Sequence, residues 1–175
     1  MDKPKVFVGS STEGKALASA VQIHLSEVSE VTVWKDAFAL NESNLDALLR
    51  MLDLFDFAIF VISPDDVTTI RGKEHKTVRD NVMFEFGLFL GRLGKGRCFG
   101  VASDQSDLRI PSDWHGITIA RYESARTDNN LRAATRAACQ MISEEIEKQG
   151  QVQFSQLRTS ASADESLETP DRTEP

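Results

Sequence analysis

A single carboxylate, Glu85, stands in the middle of an apolar stretch that runs from residue 79 to residue 91. The spacing predicts a helix whose apolar side chains cover almost its whole circumference, and such a helix packs on most of its sides. These side chains belong to Val82, Met83, Phe84, Phe86, Leu88, Phe89, Leu90 and Leu93. An unpaired buried carboxylate is costly, so it is usually ion-paired, protonated or exposed in a cleft. Glu85 is therefore the first candidate for chemistry.

Two polar residues share a helical face with Glu85, because Asn81 lies four positions before it and Arg92 seven positions after it. In one interpretation, Asn81 and Glu85 together face the loops above the sheet. In the other, Glu85 forms an ion pair with Arg92 or Arg79 on a narrow solvated stripe. The spacing alone favours neither interpretation.

The turn that starts at Gly9 is the second candidate site. Residues 9–15 match the G-x4-G-K part of a phosphate-binding loop, but Ala16 stands where a Ser or Thr would have to bind Mg²⁺. A nucleoside triphosphatase is therefore not predicted. A Gly-Ser-Ser turn before a helix still offers free N–H groups and the hydroxyls of Ser10 and Ser11 to a phosphate or a ribose. The alternative is plain helix capping.

Other common kinds of site find no support in the sequence. The three histidines have no Cys or Asp at metal-ligand spacing, so no metal site is predicted. The pair Asp65-Asp66 is typical of a Ser-Pro-Asp-Asp turn. The chain contains no G-x-S-x-G nucleophile elbow.

The elements that must position these residues alternate between strands and helices. Strands are predicted at 5–9, 31–34, 56–63, 97–102 and 117–121, and 64–78 is predicted to be a long polar loop. This alternation indicates an α/β fold with right-handed crossovers, a three-layer flavodoxin-like sandwich with a five-stranded parallel sheet of order 2-1-3-4-5. Ligands of such sheets bind beyond the carboxyl ends of the strands, where the turn at Gly9, residues 35–44 and residues 63–81 should meet.

Composition limits the partners and the compartment. The 175 residues carry a formal net charge of -7, which argues against nonspecific binding to nucleic acid or to an anionic membrane. Two cysteines without metal-ligand spacing fit a reducing compartment, and no signal peptide or membrane-spanning run is predicted, so we expect a cytoplasmic protein. Residues 1–150 are expected to form one domain. Residues 151–175 are rich in Ser, Thr, Gln and acidic residues and are expected to form a disordered tail.

Several motifs in order resemble the bacterial TIR-like (Toll/interleukin-1 receptor-like) nucleotide-binding domains. They are VFVGSSxEG at 6–14, WKDAF at 34–38, DFAIFV at 56–61, SPDD at 63–66 and RDNVxFExGLFxGxLG at 79–94. They cover roughly residues 5 to 121. The combination is similar to the TIR domains of antiphage defence effectors of the CBASS and Pycsar type.

The resemblance implies an NAD+ glycohydrolase that cleaves the bond between nicotinamide and ribose, with NAD+ as substrate and no cofactor. The essential glutamate of the family aligns with Glu85, which would stabilise an oxocarbenium-like transition state. Ser10, Ser11 and Asn81 would then hold ribose or phosphates, and Arg79 would neutralise the pyrophosphate. Three further side chains, those of Trp34, Phe38 and Leu40, would line the nicotinamide or adenine pocket, although Trp34 is also a candidate for the core.

The resemblance also implies self-association into a homo-oligomer, because TIR enzymes typically complete their sites by TIR–TIR contacts. The cyclic-nucleotide sensor of the defence effectors finds no room in this sequence, so either the sensor is on another chain, or activation differs, or this chain is a fragment or a catalytic remnant. Two alternatives stay open. One is a non-catalytic TIR scaffold that binds nucleotide or another TIR domain, and the other is an N-glycosidase of the nucleoside deoxyribosyltransferase type, which forms an ester with the sugar.

Overall fold

The computed structural model describes residues 2–34, 44–106, 108–111 and 114–152. Within these ranges the helices and strands follow one another as β1 (Lys5–Gly9), α1 (Lys15–Leu25), β2 (Glu30–Val33), α2 (Asn44–Met51), β3 (Phe57–Ile62), β4 (Asp66–Ile70), β5 (Lys73–Thr77), α3 (Asp80–Leu93), β6 (Cys98–Ser103), β7 (Thr118–Tyr122) and α4 (Leu131–Gln149).

The central sheet has the order β2-β1-β3-β6-β7, and all of its strand pairs are parallel. This is the flavodoxin-like order that the sequence predicts, and it differs only in numbering, because two additional strands precede β6. The prediction of a five-stranded parallel sheet is therefore confirmed.

The prediction of a long polar loop over residues 64–78 is wrong. The segment forms an antiparallel hairpin in which β4 pairs with β5, and the Thr68 and Thr77 hydroxyls lie 3.0 Å apart across it. Its two-residue turn, Arg71-Gly72, has positive φ angles of 53° and 76°, which match the right-handed twist of the strands. The polar sequence of β5 hid the hairpin, because solvent reaches much of both strands and no apolar alternation develops.

Two apolar layers enclose the sheet. Helices α1 and α4 cover one face, and α2 and α3 cover the other. Every residue of β3 is buried, and its side chains alternate between the two layers, Phe57, Ile59 and Val61 on the α1/α4 side and the other three on the α2/α3 side. This placement explains the uninterrupted apolar run of β3, because a central parallel strand meets a helix layer on both faces.

The prediction that α3 packs on most of its sides is also wrong. Its buried residues, Val82, Glu85, Phe86, Phe89 and Leu93, form one face, whereas Phe84 is 55% exposed and Gly87 and Gly91 are exposed. The helix lies in an outer layer of the sandwich, so only its inner face meets the core.

The Asp56 side chain connects the segment after α4 to the start of β1 through hydrogen bonds. The Asp56 carboxylate accepts hydrogen bonds from the backbone N–H of Lys5 (2.8 Å) and of Val152 (2.6 Å). Val152 packs against the α2/α3 layer, and the Gln151 side chain donates to the Asp2 and Lys3 carbonyls. The rest of the predicted tail, residues 153–175, lies outside the described residues, and its disorder stays a prediction.

Candidate active site

A cavity of about 320 Å³ opens at the carboxyl ends of β1 and β2, where the fold predicts a ligand site. Its walls come from the turn after β1, the end of β2, helix α2 and the first turns of α3. The residues that line it are Ser10, Ser11, Thr12, Trp34, Leu45, Leu48, Arg79, Asn81, Val82, Phe84 and Glu85. The structure thus brings Glu85, Ser10, Ser11, Trp34, Arg79 and Asn81 to one cavity, whereas Phe38 and Leu40 lie outside the described residues.

Glu85 reaches this cavity from the buried face of α3 and is only 8% exposed. Burial disfavours the charged carboxylate and raises the pKa of Glu85 to about 7. Within the described ranges, no Lys, Arg or His nitrogen forms an ion pair with this carboxylate. The carboxyl group is therefore held in the cavity wall close to balance between its two protonation states at neutral pH.

The alternative in which Glu85 pairs with Arg79 or Arg92 does not describe the structure. Arg79 is engaged by the carboxylates of Glu13, at 3.2 Å, and of Asp66, at 3.7 Å. Arg92 donates to Asp53 at 2.6 Å. Both arginines have acidic partners on other elements, so the charge of Glu85 is left for a ligand to compensate.

The two serines of the first turn differ in their surroundings. Ser11 is buried, and its hydroxyl accepts a hydrogen bond from the Gly14 N–H at 3.1 Å, so it stabilises the entry into α1. The hydroxyl of Ser10 is half-buried in the cavity wall and forms no hydrogen bond with the described residues. The capping interpretation thus describes Ser11, and Ser10 keeps its hydroxyl for a ligand. Gly9 precedes them because a Cβ there would collide with the ring of Phe60.

Trp34 belongs to the cavity and to the core at once. Its ring meets the edge of the Phe7 ring with the centroids 5.9 Å apart and the planes at 89°. Trp34 also lines the cavity. The contact with the buried Phe7 holds the indole in place, so it forms a rigid wall for a planar group.

The sequence does not assign four of the lining residues to the site: Leu45, Leu48, Val82 and Phe84. The leucines of α2 follow helical spacing, which indicates a core face, and Leu48 is indeed buried while Leu45 is exposed at the rim. Phe84 precedes the candidate glutamate directly, but the apolar pattern of α3 placed it in the core. The structure adds that Phe84 is exposed beside the cavity, which the apolar pattern of the helix does not predict.

The composition of the cavity limits its chemistry. Among the described residues that line it, Glu85 is the one acid and Arg79 the one base, and the remaining residues are hydroxyl, amide or apolar. One carboxylate among apolar walls can stabilise positive charge on a bound sugar. Within the described residues, no cluster of His, Cys, Asp and Glu has the geometry of a metal site. Over the same part of the chain, no helix has the length and apolarity needed to cross a bilayer.

The model of the CAP12/Pycsar effector protein TIR domain matches residues 5–124. The chain belongs to this family. The match contains every candidate residue of the site, from Ser10 to Glu85, and it confirms the resemblance that the motifs indicate.

Several curated relatives are similar to this TIR domain. This chain is 42% identical over 134 residues to CD-NTase-associated protein 12 of a Lachnospiraceae bacterium. The aligned region covers 76% of this chain and 42% of the relative. A protein of the same name from Flavobacterium daejeonense is 46% identical over 122 residues, covering 69% of this chain and 39% of the relative. The Pycsar effector protein PaPycTIR of Pseudomonas aeruginosa is 34% identical over 139 residues, covering 78% and 45%. The chain therefore spans less than half the length of each of these three relatives.

Proposed function

We propose that this TIR domain is an NAD+ glycohydrolase in which Glu85 is the catalytic residue. The observation that supports it most is the position of Glu85, a nearly buried carboxyl group without a cationic partner among the described residues, in the wall of a cavity shared with Ser10, Trp34 and Asn81. Nicotinamide in NAD+ is cationic, so the substrate supplies the positive charge that this carboxylate lacks.

The proposed reaction breaks the bond between the ribose C1′ and the nicotinamide nitrogen. The bonding electrons go to nicotinamide, which leaves as a neutral molecule and needs no proton from a general acid. Positive charge develops on the ribose ring, and the ionised Glu85 stabilises it from within the apolar wall. Water then attacks C1′ and releases one proton, which gives ADP-ribose, or a nucleophile within the substrate attacks and gives the cyclic form. Glycosidases with poorer leaving groups use two carboxylates, but here one suffices.

The other lining residues are proposed to position the substrate. Ser10 and Asn81 present a hydroxyl and an amide to ribose, and Ser11 holds the turn that carries Ser10. Trp34 offers its ring to a base, and Phe38 is proposed to join it. Arg79 is proposed to bind the pyrophosphate, and it has to leave Glu13 or Asp66 to do so, because both acids already contact it.

The test of this function is to incubate concentrated protein with NAD+ and to separate nicotinamide, ADP-ribose and cyclic ADP-ribose by chromatography. We expect nicotinamide release by the wild-type chain and none by Glu85→Gln, with both proteins folded. Glu27→Gln is a matched control, because Glu27 is exposed and does not line the cavity, and it should leave activity unchanged. A wild-type chain that binds NAD+ and releases no nicotinamide, even when assembled, would instead be a scaffold. A covalent sugar ester trapped on Glu85 would indicate the deoxyribosyltransferase type.

Beyond the reaction, we propose the role of a cytoplasmic antiphage defence effector that is activated by self-association. The family membership supports this role. The chain matches less than half of each of these relatives, so we propose that the cyclic-nucleotide sensor is on another chain or segment. Specific activity that rises with protein concentration, in parallel with the homo-oligomer measured by light scattering, would support activation by assembly. Constant specific activity across that range would contradict it.

A further inference from the structure

The cavity that holds Glu85 is too small to enclose a dinucleotide. Its volume of about 320 Å³ lies at the lower end of small-molecule cavities, which range from roughly 300 to 1,000 Å³. The cavity is thus suited to about one half of a dinucleotide, and the other half would extend beyond it.

A second, larger cavity begins on the other side of the first turns of α3. Its volume is about 550 Å³, and the hairpin, the start of α3 and residues 109–111 enclose it. The residues at the start of α3 divide between the two cavities: Arg79, Asn81 and Val82 line the first, and Val78, Asp80 and Met83 line the second. The ion pair between Arg79 and Asp66 joins one lining residue of each, with the atoms 3.7 Å apart. The first turns of α3 therefore separate the two cavities, and the ion pair between Arg79 and Asp66 connects their linings beside this helix.

We propose that the second cavity binds the adenosine half of the dinucleotide, with the pyrophosphate passing over Arg79. This subsite rests on the proposed function, because it extends the same substrate from the cavity of Glu85. Much of its lining is apolar, from Val67, Val78, Met83 and Pro111, and Val67 is 64% exposed in the free protein. An aliphatic surface of this kind suits the two faces of a purine.

The polar groups of the second cavity suit a nucleoside. Arg109 lines it with an exposed guanidinium that forms no ion pair with the described residues, and a planar guanidinium stacks on aromatic rings. Asp66 and Asp80 place two carboxylates in the same wall, where they can accept hydrogen bonds from ribose hydroxyls.

The hairpin offers a matched pair of variants. Thr68 lines the second cavity, whereas its neighbour Thr69 does not, and successive strand residues face opposite sides. Both threonines are exposed, and tyrosine is well tolerated in strands. Thr68→Tyr should therefore fill the cavity, and Thr69→Tyr adds the same side chain to the opposite face of the hairpin.

The experiment titrates AMP into the full chain and follows backbone amide resonances by NMR. We expect saturable shifts at Thr68, Thr77 and Met83, an affinity reduced about tenfold or more by Thr68→Tyr, and no change by Thr69→Tyr. Thermal melting confirms that both variants fold. The proposal is overturned if AMP causes no saturable shift at millimolar concentration, if its shifts concentrate at Ser10 and Asn81, or if the two variants behave alike.

Steady-state kinetics distinguish a failure of this subsite proposal from a failure of the proposed function on which it rests. Thr68→Tyr should raise KM for NAD+ about tenfold with kcat unchanged, and it should leave cleavage of nicotinamide mononucleotide, which has no adenosine, as in the wild type. If the wild-type chain cleaves neither substrate, the proposed function fails, and the AMP titration still decides whether the second cavity binds a nucleotide.

Discussion

The guanidinium of Arg79 and the carboxylate of Glu13 lie 3.2 Å apart at the edge of the cavity that holds Glu85. Glu13 belongs to the turn before α1, and Arg79 directly precedes α3, so the pair links the two segments that supply Ser10 and Asn81. Arg79 is the one cationic residue that lines this cavity in the described part of the chain, and it is already paired with Glu13. An anionic group of a substrate that binds Arg79 has to compete with the carboxylate of Glu13.

Glu13→Gln should strengthen the binding of a pyrophosphate, because it releases Arg79 from its ion pair. Both side chains are partly exposed, so we expect KM for NAD+ to fall only about threefold, with a stability change below about 1 kcal/mol. Steady-state kinetics and urea unfolding measure the two effects. In the Arg79→Ala background the same substitution should bring no gain, because the gain acts through Arg79. An equal gain in both backgrounds would show that Arg79 does not bind phosphate.

The rate of NAD+ cleavage should follow the ionisation of Glu85. Burial raises the pKa of this carboxyl to about 7, and the carboxylate is the form that stabilises a cationic sugar. We expect kcat/KM to rise with pH below about 7 and to reach a plateau above it. A pH–rate profile between pH 5 and pH 9 measures this dependence. Activity that falls as the pH rises through 7 would mean that the protonated form acts, as a general acid, and would contradict the proposed mechanism.

The fold was largely predictable because the strands of the central sheet have a strong local signal. The run at 57–62 is buried on both faces, and its sequence is correspondingly apolar. The hairpin at 66–77 was missed because its strands face solvent, so its stability depends on a turn, a cross-strand pair and the bridge of Lys76 to Leu108. None of these contacts can be predicted from the periodicity of the sequence.

The candidate site was predictable for the residues that follow strand ends, because topology fixes where those ends meet. Ser10 and Trp34 come into the cavity for this reason, each directly after a strand. The engagement of Arg79 by Glu13 could not be predicted, because 66 positions separate the two residues and either has other partners within reach. The exposure of Phe84 likewise depends on which side of α3 meets the sheet.

The pH dependence of the free energy of unfolding should reveal the raised pKa of Glu85 independently of activity. Its pKa is raised in the folded state, from 4.5 to about 7, so the folded protein binds more protons than the unfolded chain between these values. The favourable contribution of the protonated group is therefore complete below pH 4.5 and is lost as the pH rises through 7. Glu85→Gln does not titrate, so its stability relative to the wild type should increase by about 3 kcal/mol between pH 4 and pH 8. Urea unfolding of both proteins across this range measures the difference. A difference that stays constant with pH would mean that Glu85 is well solvated.

The hydrogen bond between Val152 and Asp56 predicts where the chain can be shortened. A chain ending at Val152 keeps the hydrogen bond from the Val152 N–H to the Asp56 carboxylate and the packing of Val152 on the α2/α3 layer, and a chain ending at Gly150 loses both. Asp56 is buried, so the loss leaves a charged oxygen without its donor. We expect the chain ending at Gly150 to be less stable than the chain ending at Val152 by about 1–3 kcal/mol. Asp56→Asn in both chains is the control, because it weakens the acceptor and should reduce this difference. Equal unfolding free energies of the two truncated chains would show that Val152 adds nothing to the domain.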